Sequence, residues 1–416
     1  MWPGLNVQSR SLAVRRIIYE PILRYSPNGG YIEWYVNCIH CGARLYSAVN
    51  YAHEYKKERS NCMSIIVNEE KKLFTLQTRH SSYQMRVDSY GFLRNLYYGA
   101  RIDDADMSYM HIDYDRSFSA NPGCAYPVRG YSLDVIPQEY TSCGLCDYRI
   151  SSFGIINGDG SRTCEWHYDS YEIRKGKYSI PGQPAVYDDQ GTAETLAITL
   201  KDPVTNVTAE LLYGVFEEVN VITRAVRIIN NSKDDIILTK ALSMSVDFSY
   251  GDFDLVAFQG RHALERIKER TPVVHNVTTI RSRRGASSHQ HNPFVILCNS
   301  NADEDHGECY GFMLVYSGGF TAEAEKDQYD STRLVIGIQP ENFSWKLGAG
   351  EVFDTPEVIV SYSSEGFATL SHQYHHIIRH NVCRGRYKLE RRPVLLNSWE
   401  ATYFAVHEDV LLSLAK

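Results

Sequence analysis

The chain reads as mainly β, with one large antiparallel sandwich over most of its length and the beginning of a parallel α/β structure at its end. Two observations predict this. From Met63 to about residue 360, apolar and polar residues alternate in run after run, the mark of strands that place one face on a core. Near residue 364 the spacing becomes helical, and the last residues read as strand, loop and helix.

The alternation is clear in Tyr83, Met85 and Val87, and again in Leu196, Ile198 and Leu200. Its longest case is Leu238, Leu242, Met244, Val246 and Phe248, with Thr239, Ser243, Ser245 and Asp247 between them. The polar side of such a strand faces water or another layer. The cluster from Asn230 to Asp235 separates two runs and predicts a hairpin loop. Many strands with short turn clusters and almost no helix imply a sandwich.

Beyond it, Leu370, Tyr374, Ile377 and Ile378 follow helical spacing, with Ser363 and Ser364 available as caps. A basic linker runs from Arg384 to Arg392 and ends at Pro393. Val394, Leu395 and Leu396 then read as a short buried strand, and Glu408 to Lys416 as the start of a helix. A parallel strand needs neighbours on both sides, so this last unit is expected to be cut short.

Residues 1–62 lack periodicity and read as an atypical extension upstream of a natural start at Met63. The expected divisions are therefore 1–62, a sandwich over 63–362, a linker helix and basic linker over 363–392, and the α/β beginning over 393–416. Cys38-Ile39-His40-Cys41 resembles half of a zinc site, but the only other such pair, Cys143-Gly144-Leu145-Cys146, lies about a hundred residues on. No metal or cofactor is expected.

Composition narrows the function classes. The 416 residues are 43% hydrophobic and 22% charged, ordinary for a globular protein. The net charge of 43 − 50 = −7 argues against nucleic acid as a partner. No apolar stretch approaches the roughly 18 residues of a membrane span, and no signal peptide opens the chain. Ten scattered cysteines suit reduced thiols and a cytoplasmic location. Thirty tyrosines offer faces on which sugar rings stack, though strands alone favour tyrosine.

The common catalytic signatures are absent: there is no G-x-S-x-G, no P-loop and no G-x-G-x-x-G. The pairs His289 with His291 and His375 with His376 read as structural or surface histidines. A carboxylate pair could hydrolyse glycosides, but with 50 acidic residues spacing alone selects none. The polar run from Ser282 to Phe294, with Arg283 and Arg284 adjacent, leads into the strand-like Val295-Ile296-Leu297.

At this run the chain resembles α-galactosidases of glycoside hydrolase family 36. The resemblance extends from about Met63 to the C-terminus. It is carried by Asp115-Arg116-Ser117-Phe118-Ser119, by Ser132 to Asp134 and Pro137 to Tyr140, by Asn220 to Arg224, and by Ala241 to Phe248. Further segments are Arg283 to Phe294, Thr355-Pro356-Glu357 and Asn397 to Phe404. It implies an N-terminal β-supersandwich, then a (β/α)8 catalytic barrel of which only the first strand and loop are present. It implies retaining hydrolysis of terminal α-D-galactosyl residues from sugars such as melibiose and raffinose, and homo-oligomers, tetrameric in the family.

On the same resemblance the nucleophile and the acid/base lie beyond residue 416, so the isolated chain is expected to be inactive. Asp115 and Arg129 are expected to reach toward galactose hydroxyls, and Trp399 to sit at the galactose site. Their competing readings are a surface ion pair and simple packing of a barrel end. The alternative function is a non-catalytic module that binds carbohydrate or assembles oligomers. The chain departs from the family in residues 1–62, at Cys143 to Cys146, and at Ala405 and Val406, where Asp and Phe are usual.

Overall fold

The computed structural model describes residues 64–416 apart from Asp104, Asp113, 115–120, Pro127 and Arg129, together with the backbone of three earlier strands. Two compact units are present, Met1–Met63 and Ser64–Lys416. In the first, β1 (Ile22–Tyr25), β2 (Ile32–Asn37) and β3 (Arg44–Leu45) form an antiparallel meander. Cys38 and Cys41 lie outside the described residues.

The second unit is built from three antiparallel sheets. The smallest joins β4 (Ile65–Asn68), β5 (Leu73–Gln77), β6 (Ser81–Val87) and β7 (Leu93–Ala100) in sequence order. The strands that follow are β8 (Phe153–Ile156), β9 (His167–Lys175), β10 (Glu194–Lys201), β11 (Val207–Phe216), β12 (Val221–Asn230) and β13 (Ile236–Phe248). Next come β14 (Phe253–Arg261), β15 (Leu264–Pro272), β16 (Thr278–Ser282), β17 (His291–Asn299) and β18 (Cys309–Val315). The last are β19 (Phe320–Lys326), β20 (Thr332–Ile338), β21 (Trp345–Leu347), β22 (Val352–Asp354) and β23 (Glu357–Ser363).

The ten-stranded sheet runs β15-β14-β17-β18-β23-β12-β11-β10-β9, with β22 also on β12. The six-stranded sheet runs β16-β19-β20-β13-β21, with β8 also on β13. One contiguous apolar core collects Leu196, Ile198 and Phe312 from the first, Met244 and Leu334 from the second, and Tyr83 and Met85 from the four-stranded sheet. The alternating residues of the sequence, Leu242 apart, thus join this core. Ser243, Ser245 and Asp247 on β13 are buried as well, so the polar side of that strand faces protein rather than water.

The loop 230–235 is not a hairpin. β12 pairs with β11, β22 and β23, whereas β13 pairs with β8, β20 and β21. The loop therefore carries the chain from one sheet to the other. Fully buried Asn230 holds the crossing: its amide donates to the carbonyls of Asp234 and Leu347, and its oxygen accepts from Ser232. A run of turn-forming residues marks a reversal but not the sheet that receives the next strand.

The expected helix forms as α1 (Gly366–Ile377). It lays Phe367, Leu370, Tyr374 and Ile377 into a second apolar cluster with Phe216, Val221 and Ile359. Tyr374 donates to the Ile359 carbonyl at 3.0 Å. The ring lies so close to β18 that a Cβ on Gly311 would meet its Cε2 at 2.5 Å. Ser363 accepts from the Glu365 amide, ahead of the helix, and does not cap its first turn.

Residues 394–396 form no strand. Val394 and Leu395 are 103% and 86% exposed. Among the described residues nothing flanks this segment to complete a parallel ladder, and an unpaired strand leaves its backbone groups to water. The last predicted element does form, as α3 (Glu408–Ala415), after the short α2 (Trp399–Thr402).

Candidate functional site

Trp399 opens α2. Its amide donates to Asn397 Oδ1 at 3.0 Å, and the Ser398 carbonyl accepts from the amides of Ala401 and Thr402. Tyr403 ends the turn at φ 48°, a value that side chains rarely adopt. This bend folds Tyr403 and Phe404 back on the indole, with centroids 5.5 and 5.1 Å away and rings edge-on. Trp399 stays 47% exposed. The result is a displayed aromatic group of the kind on which an apolar sugar face stacks.

Asp115 and Arg129 lie outside the described residues. Their sequence neighbours are fixed to the sandwich: Tyr114 stacks on Tyr329 at 4.2 Å, and Tyr131 donates to Asp88 Oδ2 at 2.6 Å. Tyr131 also packs with Phe92, Leu133 and Ile136. Of the three expected recognition groups, only Trp399 falls among the described residues.

Several segments that carry the resemblance meet instead in the core, around two buried charge networks. In the first, Arg224 of β12 pairs with Glu139 at 2.5 Å. Tyr83, Tyr213 and Asn95 also donate to that carboxylate. Burial holds the Glu139 carboxyl above its ordinary value, against the pull of Arg224 and the three neutral donors.

In the second network Arg333 grips Asp247 with two bonds of 2.7 Å and reaches Asp147 at 3.0 Å. Arg149 binds the other side of Asp147 at 2.9 Å. Burial opposes the Asp147 charge, but Arg333 and Arg149 outweigh it and hold its pKa below the ordinary value. Gln138 bridges the systems, since its amide donates to Asp247 and its side chain to Asp147, beside Glu139. These groups are sealed from solvent, so they position segments and do not contact a substrate. Alternation cannot reveal them, because the charges stand where it calls for polar or apolar residues alike.

Three antiparallel sheets around one core, internal charge clamps and an aromatic display at the end define a large β-sandwich module. Comparison with known proteins is narrower. The family model described as glycosyl hydrolase family 36 N-terminal domain matches residues 91–348, and the one described as melibiase matches residues 352–416. The chain belongs to glycoside hydrolase family 36.

The bifunctional α-galactosidase/sucrose kinase AgaSK of Mediterraneibacter gnavus is 50% identical over 354 residues, 85% of this chain and 38% of that protein. The solved galactosidase domain of AgaSK superposes with a TM-score of 0.80, covering 84% of this chain and 49% of that one. α-Galactosidase AgaA of Geobacillus stearothermophilus, solved in complex with raffinose, is 40% identical with a TM-score of 0.78, covering 83% and 48%. The chain thus spans about half the length, or less, of the relatives it matches.

Proposed function

We propose that the chain is the β-sandwich portion of an α-galactosidase that hydrolyses terminal α-D-galactosyl residues with retention. Its substrates are oligosaccharides such as raffinose, the sugar bound in the AgaA complex, and melibiose. Asp115, Arg129 and Trp399 serve substrate recognition. The nucleophile and the acid/base belong to barrel strands that are not among these 416 residues. A retaining mechanism needs two carboxyl groups roughly 5 Å apart across the scissile bond, and without that pair the chain binds but does not turn over.

The observation that supports this reading most directly is the melibiase match over residues 352–416, which includes the displayed Trp399. Assembly into a homo-oligomer and a cytoplasmic location are parts of the same proposal. No helix among the described residues is long and apolar enough to cross a membrane.

The test is hydrolysis of p-nitrophenyl α-galactoside by the purified chain, with a full-length relative as control. Absence of turnover is expected. Turnover that persists after contaminants are removed would place two catalytic carboxylates within residues 1–416 and overturn the proposal.

A further inference from the structure

Away from the aromatic display, Cys124, Glu165 and His167 converge at the edge of the ten-stranded sheet. Glu165 and His167 are two apart where the chain enters β9, and side chains at that spacing leave an extended strand on one side. Cys124 arrives from the short turn Gly123–Ala125. One ligand atom from each lies within 4.8 Å of the others. Cys124 Sγ stands 3.9 Å from Glu165 Oε1, and His167 Nε2 stands 2.7 Å from the same oxygen.

The imidazole is oriented from behind. Its Nδ1 lies 3.1 Å from the Tyr90 carbonyl, an oxygen that can only accept. The ring packs on Phe92, with centroids 4.7 Å apart. The backbone comes close because the next residue is Gly91, at φ 88°, where a Cβ would stand 3.1 Å from Nδ1. With the Nδ1 proton committed to Tyr90, the Nε2 lone pair points at a carboxylate oxygen. Two lone pairs at that distance repel unless a cation lies between them, either a second ring proton or a metal ion.

We infer that Cys124, Glu165 and His167 form a binding site for a divalent transition-metal ion, of which zinc is the best match. Thiolate, carboxylate and neutral imidazole together carry two negative charges, which a dication neutralises. Mixed sulfur, nitrogen and oxygen donors suit zinc. A carbonyl behind the ligating histidine is the usual device that fixes its tautomer. With metal–ligand bonds of about 2.0–2.3 Å, tetrahedral donors stand roughly 3.3–3.8 Å apart. The Cys124–Glu165 separation of 3.9 Å closes slightly and the His167–Glu165 contact of 2.7 Å opens when the ion replaces the proton. Cys124 is exposed, so water can take the fourth position. The ion would tie the Gly123–Ala125 turn to β9.

The test uses the full chain, reduced and stripped with chelator, in a C38S/C41S background so that the N-terminal pair cannot compete. Cobalt(II) titration is expected to give a thiolate-to-metal charge-transfer band at one equivalent, and zinc is expected to displace it. C124S should abolish the band, and H167Q should lower zinc affinity by roughly tenfold or more, each with an unchanged circular dichroism spectrum. C143S/C146S should retain it. A chain that gives no band, or a band that survives C124S, would overturn the inference.

Discussion

Arg224 and Glu139 meet at 2.5 Å in the middle of the sandwich, both almost wholly enclosed. The pair joins β12 to the segment after β7, and two tyrosines and an asparagine complete the carboxylate's shell. Removing one partner of such a pair strands a buried charge, at a cost of about 3–5 kcal/mol. E139L and R224M are each expected to lose that much in urea unfolding. The double variant E139L/R224M should lose clearly less than their sum, because neither charge is left alone. Strict additivity would show that the two side chains act independently.

Asp147 makes the sandwich acid-sensitive. Because Arg333 and Arg149 hold its carboxyl below the ordinary value, its stabilising contribution is complete above about pH 4 and vanishes as pH falls through the native-state value. The Tm gap between wild type and D147N should therefore be widest near neutral pH and shrink toward about pH 3. A gap that stays constant with pH would mean that the carboxylate charge contributes nothing.

The contact between Gly311 and Tyr374 sets how closely α1 approaches the ten-stranded sheet. G311A adds a methyl 2.5 Å from Tyr374 Cε2, and overpacking of this kind costs about 1–3 kcal/mol. Hydrogen exchange should show the α1 amides deprotected in G311A. The suppressor Y374L, which removes the ring, should recover part of the loss.

Val394, Leu395, Trp399, Phe404 and Leu412 are all exposed at the C-terminal end. Large apolar groups left exposed close together in sequence favour association. Light scattering is expected to show concentration-dependent self-association of the chain, reduced in L395E/F404E. A clean monomer at high concentration would contradict this.

The recognition role proposed for Trp399 is separable from folding. In a complete enzyme built on this chain, W399A should raise KM and lower kcat/KM about tenfold or more, consistent with loss of roughly 1.4 kcal/mol or more of transition-state binding. Its Tm should hardly change, since the indole is half exposed.

The strands, the α1 helix and the α3 helix were legible in the order of residues, because side-chain periods of 2 and 3.6 are local properties of the backbone. The ordered family segments were legible too, as a resemblance carried by residue identity rather than by period. What each strand pairs with was not: Asn230 to Asp235 looks the same whether β13 folds back on β12 or crosses to the other sheet, and only the packing of both layers decides. The segment 394–396 has the composition of a buried strand, yet it lies open, because a strand is stabilised by neighbours that its own residues do not supply. Cys124 stands far from Glu165 and His167 along the chain, with no spacing motif to join them. Their convergence, like that of Glu139 with Arg224, is decided by tertiary structure alone, since contacts between remote residues depend on how whole sheets stack.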